Sequence, residues 1–583
     1  MQLYRVFLMT VISLLGYSSA TSSGIFDHPL NGWYPCHKFT FSESGGSSSQ
    51  GGDAECAIYT APLCYPGICE ISEFAEPTVD IFVKRIPATA ADTKTAHNVW
   101  LVQGGPGYSS TSLESSMMEL HAKLAGAVNV YTMDHRGTGR STLFDCVAAQ
   151  TTMTGSTLGR EIDPSEVPAC AKDLRMKYGD LASFSTTSAA TDISAFISKF
   201  SNGASSIVYG VSYGTVVVER LMHLSPPTVN GYVLDGIATT SGASGNKFQY
   251  YSMWDADFGK VGDYFMELCA QDSTCSSHFQ SANLSVALQD LMTRLDNNPN
   301  STCATLLSNS TDTLPSHALR QRLAVLLKDT TARTIIPPIV YRLSRCDTND
   351  VDAMTHFFAG IDSFFSSTSQ DDPFQSTLLY YLIIFSDMWE TPTPSTSEME
   401  SRFTNASITD GMYSLNSLYC AFSKEKSPAC KELNLANYEG EGIIYQRDQY
   451  WNKRAIVSTQ ASVLLLSGKL DPQTPHKYAE YLFDALDCQK KELITFDYAA
   501  HVATVSTPFG ADINGTSLNC GMELLVSYVK NNGDLQRMDR SCIDEMPPFN
   551  LTVPIEYVQG FFSTDEVYDG VYNASFSQTE ESA

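Results

Sequence analysis

The segment Ser205-Ser206-Ile207-Val208-Tyr209-Gly210-Val211-Ser212-Tyr213-Gly214-Thr215-Val216-Val217-Val218 passes from a short apolar strand, through a serine bracketed by glycines, into a helix. Gly210-Val211-Ser212-Tyr213-Gly214 is the chain's single Gly-x-Ser-x-Gly. Between a strand and a helix this pattern makes a turn so tight that its flanking positions take glycine to escape Cβ clashes. The turn lifts the serine hydroxyl above the end of the strand, where a nucleophile stands. Ser212 is therefore the candidate nucleophile.

Further short apolar runs lie on either side, at 79–83, 98–102, 128–133, 231–235, 461–466 and 492–496. Helical patterns separate several of them, as at 189–200. Apolar strands alternating with helices imply a mostly parallel sheet covered on both faces. More than 200 residues separate the runs at 231–235 and 461–466, mostly helical in pattern. They are expected to form a large inserted cap over the carboxyl edge of the sheet, where open α/β sheets bind ligands.

A serine hydroxyl is a weak nucleophile and needs a base held by an acid. In the α/β-hydrolase fold the chain order is Ser, acid, His. The run at 461–466 leads into Ser467-Gly468-Lys469-Leu470-Asp471-Pro472, and the run at 492–496 into Asp497-Tyr498-Ala499-Ala500-His501. Asp471 and His501 thus hang from strand ends beside Ser212 and complete a candidate catalytic set. Asp497 and His476 are rivals, but His476 follows Asp471 too closely to sit between it and Ser212. A developing oxyanion needs preorganised N–H donors. The backbone N–H of Tyr213 is one candidate. Gly104 or Gly105, in Gln103-Gly104-Gly105-Pro106-Gly107 after the run at 98–102, supplies the other. Asp134-His135-Arg136-Gly137-Thr138-Gly139-Arg140-Ser141 reads as a turn in which Asp134 and Arg136 tie loops together near that glycine loop.

Gln-Gly-Gly-Pro-Gly, Asp-His-Arg-Gly-Thr-Gly-Arg-Ser, Gly-Val-Ser-Tyr-Gly-Thr, Val-Leu-Asp-Gly-Ile and Gly-Lys-Leu-Asp-Pro-Gln-Thr-Pro occur in this order. Together they resemble the proline iminopeptidase and tripeptidyl aminopeptidase family of α/β-hydrolases. Leu470-Asp471-Pro472, the His501 loop and Cys520-Gly521 look like its tripeptidyl branch. The resemblance covers roughly 98–142, 190–240 and 460–525. It implies a serine exopeptidase that releases residues or short peptides from free N-termini, with Ser212, Asp471 and His501 as the triad and no metal or cofactor. The family's usual His-Gly-Gly-Pro-Gly is Gln103-Gly-Gly-Pro-Gly here, and the glycines that commonly flank its His are Ala500 and Val502. An exopeptidase must hold the substrate ammonium, so a cap carboxylate should reach the site. Trp254-Asp255-Ala256-Asp257 is a candidate segment. A carboxylesterase or lipase on the same fold is the alternative, and an inactive binding module a third reading.

The 583 residues carry 37 Lys+Arg against 64 Asp+Glu, a formal charge of −27. That balance argues against nucleic acid and anionic membrane surfaces as partners. Arg5, an apolar stretch from Val6 to Tyr17 and Ser18-Ser19-Ala20 read as a secretory signal cleaved after Ala20. Fifteen cysteines suit the same oxidising route, with one left over. Cys269/Cys275, Cys420/Cys430 and Cys64/Cys69 are the close pairs. Asn283, Asn300, Asn309, Asn405, Asn514, Asn550 and Asn573 head glycan-acceptor sequons. The run 378–385 is too short to span a bilayer and reads as a buried helix. A secreted glycoprotein without stable membrane insertion is expected. The expected division is a signal peptide (1–20), a Cys- and Ser/Gly-containing N-terminal extension (21–75), a first α/β-hydrolase core segment (76–237), a cap (238–459), a second α/β-hydrolase core segment (460–545) and an acidic tail (546–583).

Overall fold

The computed structural model describes residues 30–41, 54–154, 161–241, 247–279, 283–307, 313–366, 372–435, 440–511 and 517–576. The signal-peptide reading, most of the Ser/Gly-rich run and the sequons at Asn309 and Asn514 fall outside them.

Among the described residues nine strands form one sheet: β1 (Tyr34–Cys36), β2 (Ala54–Pro62), β3 (Thr78–Ile86), β4 (Asn98–Val102), β5 (Asn129–Met133), β6 (Ser206–Val211), β7 (Val229–Asp235), β8 (Ser462–Gly468) and β9 (Lys491–Phe496). Their order is β1-β2-β3-β5-β4-β6-β7-β8-β9. The first three pairings are antiparallel and all those from β5 to β9 parallel. This is the α/β-hydrolase fold.

Full burial of the central strands explains their unbroken apolar sequences, and the period of two sorts their side chains. Trp100, Val208, Leu234 and Leu465 face the helices Thr186–Phe200 and Tyr213–Leu224. Leu101, Ile207, Val233 and Leu464 face the helices Glu114–Lys123 and Cys520–Lys530. A buried Leu or Val is worth about 1.5–3 kcal/mol, so these two layers dominate the energetics of the sheet.

The insertion between Asp235 and Ser462 is largely helical. Its earlier helices, including Trp254–Cys269, Pro315–Leu327 and Ile336–Arg345, build a separate apolar cluster. Its later helices, among them Thr377–Asp387, share the core of the sheet. The apolar run at 378–385 is that buried helix.

Two segments depart from the sequence reading. The N-terminal extension supplies β1 and β2, which join the sheet by antiparallel pairing onto β3. The segment read as an acidic tail contains the helix Ile555–Phe562, and Leu551, Val558, Phe562 and Tyr568 are buried against the first cluster of the insertion. Its charge count concealed an apolar stripe.

Seven disulfides are formed among the described residues: Cys36–Cys56, Cys64–Cys69, Cys146–Cys170, Cys269–Cys275, Cys303–Cys346, Cys420–Cys430 and Cys520–Cys542. Cys488 remains a thiol. Such a set belongs to an oxidising compartment. Among the described residues no helix is long and apolar enough to cross a membrane.

Candidate active site

Ser212 follows β6 directly and has φ 56°, a conformation that costs a non-glycine residue about 1–3 kcal/mol. The neighbours over-determine it. Ser212 N–H donates to the Asp235 carbonyl at 2.9 Å, and its own carbonyl accepts from Thr215 N–H at 2.9 Å. A Cβ on Gly214 would lie 2.4 Å from the Val102 carbonyl oxygen, and one on Gly210 2.7 Å from that of Gly214. The two glycines let the helix and β4 close onto the turn.

Asp471, in the turn after β8, is fully buried. Its Oδ1 accepts the N–H groups of Gln473 and Thr474, both at 2.9 Å, and its Oδ2 accepts the Thr474 hydroxyl at 2.6 Å. Oδ2 also lies 2.8 Å from His501 Nδ1. Burial alone would depress the His501 pKa, but the charge and hydrogen bond of Asp471 outweigh it and hold the ring above the ordinary histidine value. Ser212 and His501 line one cavity, with no hydrogen bond between them among the described residues. Such bonds are often long in unliganded sites and tighten with substrate.

The loop carrying His501 is held from beneath. Asp235, at the end of β7, accepts Ala503 N–H at 2.7 Å, Thr504 N–H at 3.0 Å and the Tyr209 hydroxyl at 2.9 Å. Gly521 lets the helix Cys520–Lys530 touch the same loop, since a Cβ there would lie 2.4 Å from the Ala503 carbonyl oxygen. Asp235 escaped the sequence reading. Its place at the end of an apolar strand looks like ordinary strand termination, and its partners in the His501 loop lie more than 260 residues away.

The two candidate loop glycines differ. Gly104 N–H donates to Oε1 of Gln103 at 3.0 Å. Gly105 N–H and Tyr213 N–H have no acceptor among the described residues. A Cβ on Gly104 would meet Ser212 Cβ at 2.8 Å and Tyr213 N at 3.2 Å, so the loop lies directly against the serine turn.

The rivals sit elsewhere. Asp497 pairs with Lys469 at 2.6 Å on the surface, and His476 does not line the cavity. Asp134 and Arg136 tie loops together. Asp134 accepts Ser110 N–H and Arg140 Nε, both at 2.8 Å, and fully buried Arg136 grips Asp192 at 2.6 and 2.7 Å.

The cavity measures about 570 Å³. The glycine loop and Ser212 line it from the sheet. Trp254, Lys328, Tyr380, Tyr381, Asp410 and Met412 line it from the insertion. Of the segment 254–257 only Trp254 reaches it. Asp255 is consumed by Thr409, Gly411, Met412 and Tyr413, and Asp257 by Lys477, Lys260 and Tyr478. Asp410 is paired with Lys328 at 2.9 Å and accepts Trp254 Nε1 at 3.1 Å. Glu161 is the cavity carboxylate that no described cation neutralises. Among the described residues no three His, Cys, Asp or Glu side chains converge to hold a metal.

No family model and no curated protein matches the chain. Solved structures do. Acetyl xylan esterase 1 from Thermoanaerobacterium sp. is 12% identical with a TM-score of 0.29, over 82% of this chain and 83% of its own. An esterase from Exiguobacterium antarcticum is 11% identical with a TM-score of 0.26, over 73% and 91%. Mouse alpha/beta hydrolase domain-containing protein 10 is 10% identical with a TM-score of 0.28, over 79% and 96%. These likenesses identify no peptidase family, and the fold assignment rests on the strand order itself.

Proposed function

We propose that the protein is an extracellular serine hydrolase acting through an acyl-enzyme, and that its substrates are peptides with a free N-terminus. The observation that carries the hydrolase reading is the 2.8 Å contact of His501 Nδ1 with buried Asp471, at the rim of the cavity that Ser212 enters on its strained turn. His501 takes the Ser212 proton as Oγ attacks the acyl carbon, and Asp471 fixes the ring tautomer. Gly105 and Tyr213 N–H groups receive the oxyanion. His501 then protonates the leaving group, and water releases the acyl group. The ordered motif set from Gln103 to Pro475 supports the exopeptidase reading, and Glu161 is the carboxylate available to a substrate ammonium.

Carboxylester hydrolysis is the second reading. The wall formed by Tyr108, Tyr251, Trp254, Tyr380 and Tyr381 favours it, because aromatic surface suits an apolar acyl group or alcohol. A tripeptide fluorogenic amide with its N-terminus free or acetylated separates the two, with Ser212→Ala as blank. Cleavage of the free form alone supports the exopeptidase. Equal cleavage of both, or of neither, removes the exopeptidase reading, and turnover of simple esters alone moves the assignment to the second.

A further inference from the structure

His135 has no place in the chemistry above, yet it is buried directly beneath the glycine loop. It is 5% exposed, and its Nε2 lies 2.9 Å from the carbonyl oxygen of Gln103. A carbonyl only accepts, so Nε2 carries the proton. Nδ1 is buried without a hydrogen-bond partner among the described residues. Protonating it would bury an unpaired cationic N–H, and burial holds the ring below the ordinary histidine pKa despite nearby Asp134 and Asp192. The ring is therefore neutral, with one fixed tautomer and one donor, and that donor is spent on Gln103.

The Gln103 carbonyl and the Gly104 N–H belong to one peptide plane. His135 holds its oxygen. Its N–H is held at 3.0 Å by the Gln103 side chain, whose amide in turn donates to Ser112 Oγ. The plane is thus pinned at both ends immediately before two consecutive glycines, whose backbones rotate freely unless restrained. The next N–H along is that of Gly105. We propose that His135 is a positioning residue: by holding the Gln103 carbonyl it keeps the Gly105 N–H directed at the oxyanion that forms on Ser212. This rests on the serine-hydrolase reading but not on the choice between peptide and ester.

The test compares His135→Gln with His135→Asn and His135→Leu in the full chain. The Gln amide N–H can reach the Gln103 carbonyl, the shorter Asn cannot, and Leu has no donor. A simple activated ester gives kcat and KM. A trifluoromethyl ketone, whose hemiketal oxyanion needs both donors, gives an affinity. Loss of one oxyanion donor costs about 10²–10³ in kcat. The Asn and Leu variants should lose kcat on that scale, hold KM within about threefold, and weaken the ketone by a similar factor, while Gln restores both. The proposal is overturned if Asn retains kcat and ketone affinity. It is equally overturned if Gln fails to rescue, or if losses follow melting temperature rather than ketone affinity. Should Leu fail to fold, the Gln and Asn pair decides alone. Failure of a fluorophosphonate to label wild-type Ser212 would instead remove the hydrolase reading, and this proposal with it.

Discussion

Asp235 Oδ1 accepts the backbone N–H of Ala503 at 2.7 Å, two residues beyond His501. The contact joins the end of β7 to the loop that carries the base. Oδ2 takes Thr504 N–H at 3.0 Å, so two successive peptides are held by one carboxylate. Hydrogen bonds to a charged group contribute about 1.5–3 kcal/mol each. Val502, at φ 66°, is a β-branched residue in the left-handed region, and this grip is what keeps it there. Asp235→Asn loses one acceptor and should let the loop relax. A shift of about 1 Å in a catalytic group costs on the order of 10² in rate. A kcat/KM fall of that size, with the fold intact by circular dichroism, is the expected result. Wild-type kinetics in the variant would reduce Asp235 to a core residue.

Gly104→Ala addresses the other side of the site. Its Cβ would sit 2.7 Å from the Val211 carbonyl oxygen and 2.8 Å from Ser212 Cβ. Neither neighbour can give way, because both belong to the strained turn. The loop must retreat and carry Gly105 with it. The expected outcome is a kcat loss of about 10²–10³ with little change in melting temperature, read by steady-state kinetics and calorimetry. Unimpaired turnover would mean that the loop has slack and that its donors are not set by this contact.

The sequence made the central sheet legible because β4 to β8 are buried on both faces and read as continuous apolar runs. Ser212, Asp471 and His501 could be brought together on paper because each follows a strand of one parallel sheet. What supports them was not legible. His135, Asp235 and the Gln103 amide act through contacts that no local pattern announces. The insertion was recognisable as helical, but not its division between two cores, since amphipathic helices do not declare which neighbour they cover. The side chains it would present to the cavity were equally hidden. Asp255 and Asp257 looked available in the sequence and are spent on internal hydrogen bonds.

Glu219 gives the fold a pH dependence of its own. It is 1% exposed, and burial raises its carboxyl to about 8 despite hydrogen bonds from Thr239 and Ser241 and the charge of Arg220. A carboxyl raised in the folded state stabilises fully below its unfolded value of 4.5, and the contribution is lost as pH rises toward about 8. Glu219→Gln keeps the shape and removes the titration. Thermal melts should coincide with wild type near pH 5 and exceed it by several degrees at pH 9. Parallel curves across that range would show that Glu219 ionises without penalty.

Cys303–Cys346 spans a sequence separation of 43 within the insertion. On the chain-entropy account, a loop of that size stabilises by about 4 kcal/mol. Replacing both cysteines by serine should lower the melting temperature accordingly and leave kcat nearly unchanged, because neither residue lines the cavity. A parallel thiol titration of the denatured, unreduced wild type should count one reactive group, Cys488. A loss of activity larger than the loss of stability would tie this half of the insertion to substrate binding.

The base itself should leave a signature in the pH profile. On the proposed mechanism His501 acts only when its ring is neutral, and Asp471 holds the ring's pKa above the ordinary value of 6.5 against the opposing effect of burial. Asp235 adds to that rise and Lys328 opposes it. The acid limb of the kcat/KM profile should therefore have its midpoint above 6.5. The sign for stability is the opposite of that for activity. A histidine raised in the folded state stabilises fully below its unfolded value, and the contribution is lost as pH rises through the raised value. Wild type should thus lose part of its stability over the same interval in which it gains activity. Asp471→Asn removes the largest raising influence and leaves desolvation unopposed by it. Its acid limb should move below that of wild type, and its stability should decline less over that interval than that of wild type, the remaining fall being the share of Glu219. Its kcat should fall by about 10⁴, since the amide favours the wrong ring tautomer. A variant whose limb stays where the wild-type limb lies would mean that a group other than His501 governs the profile.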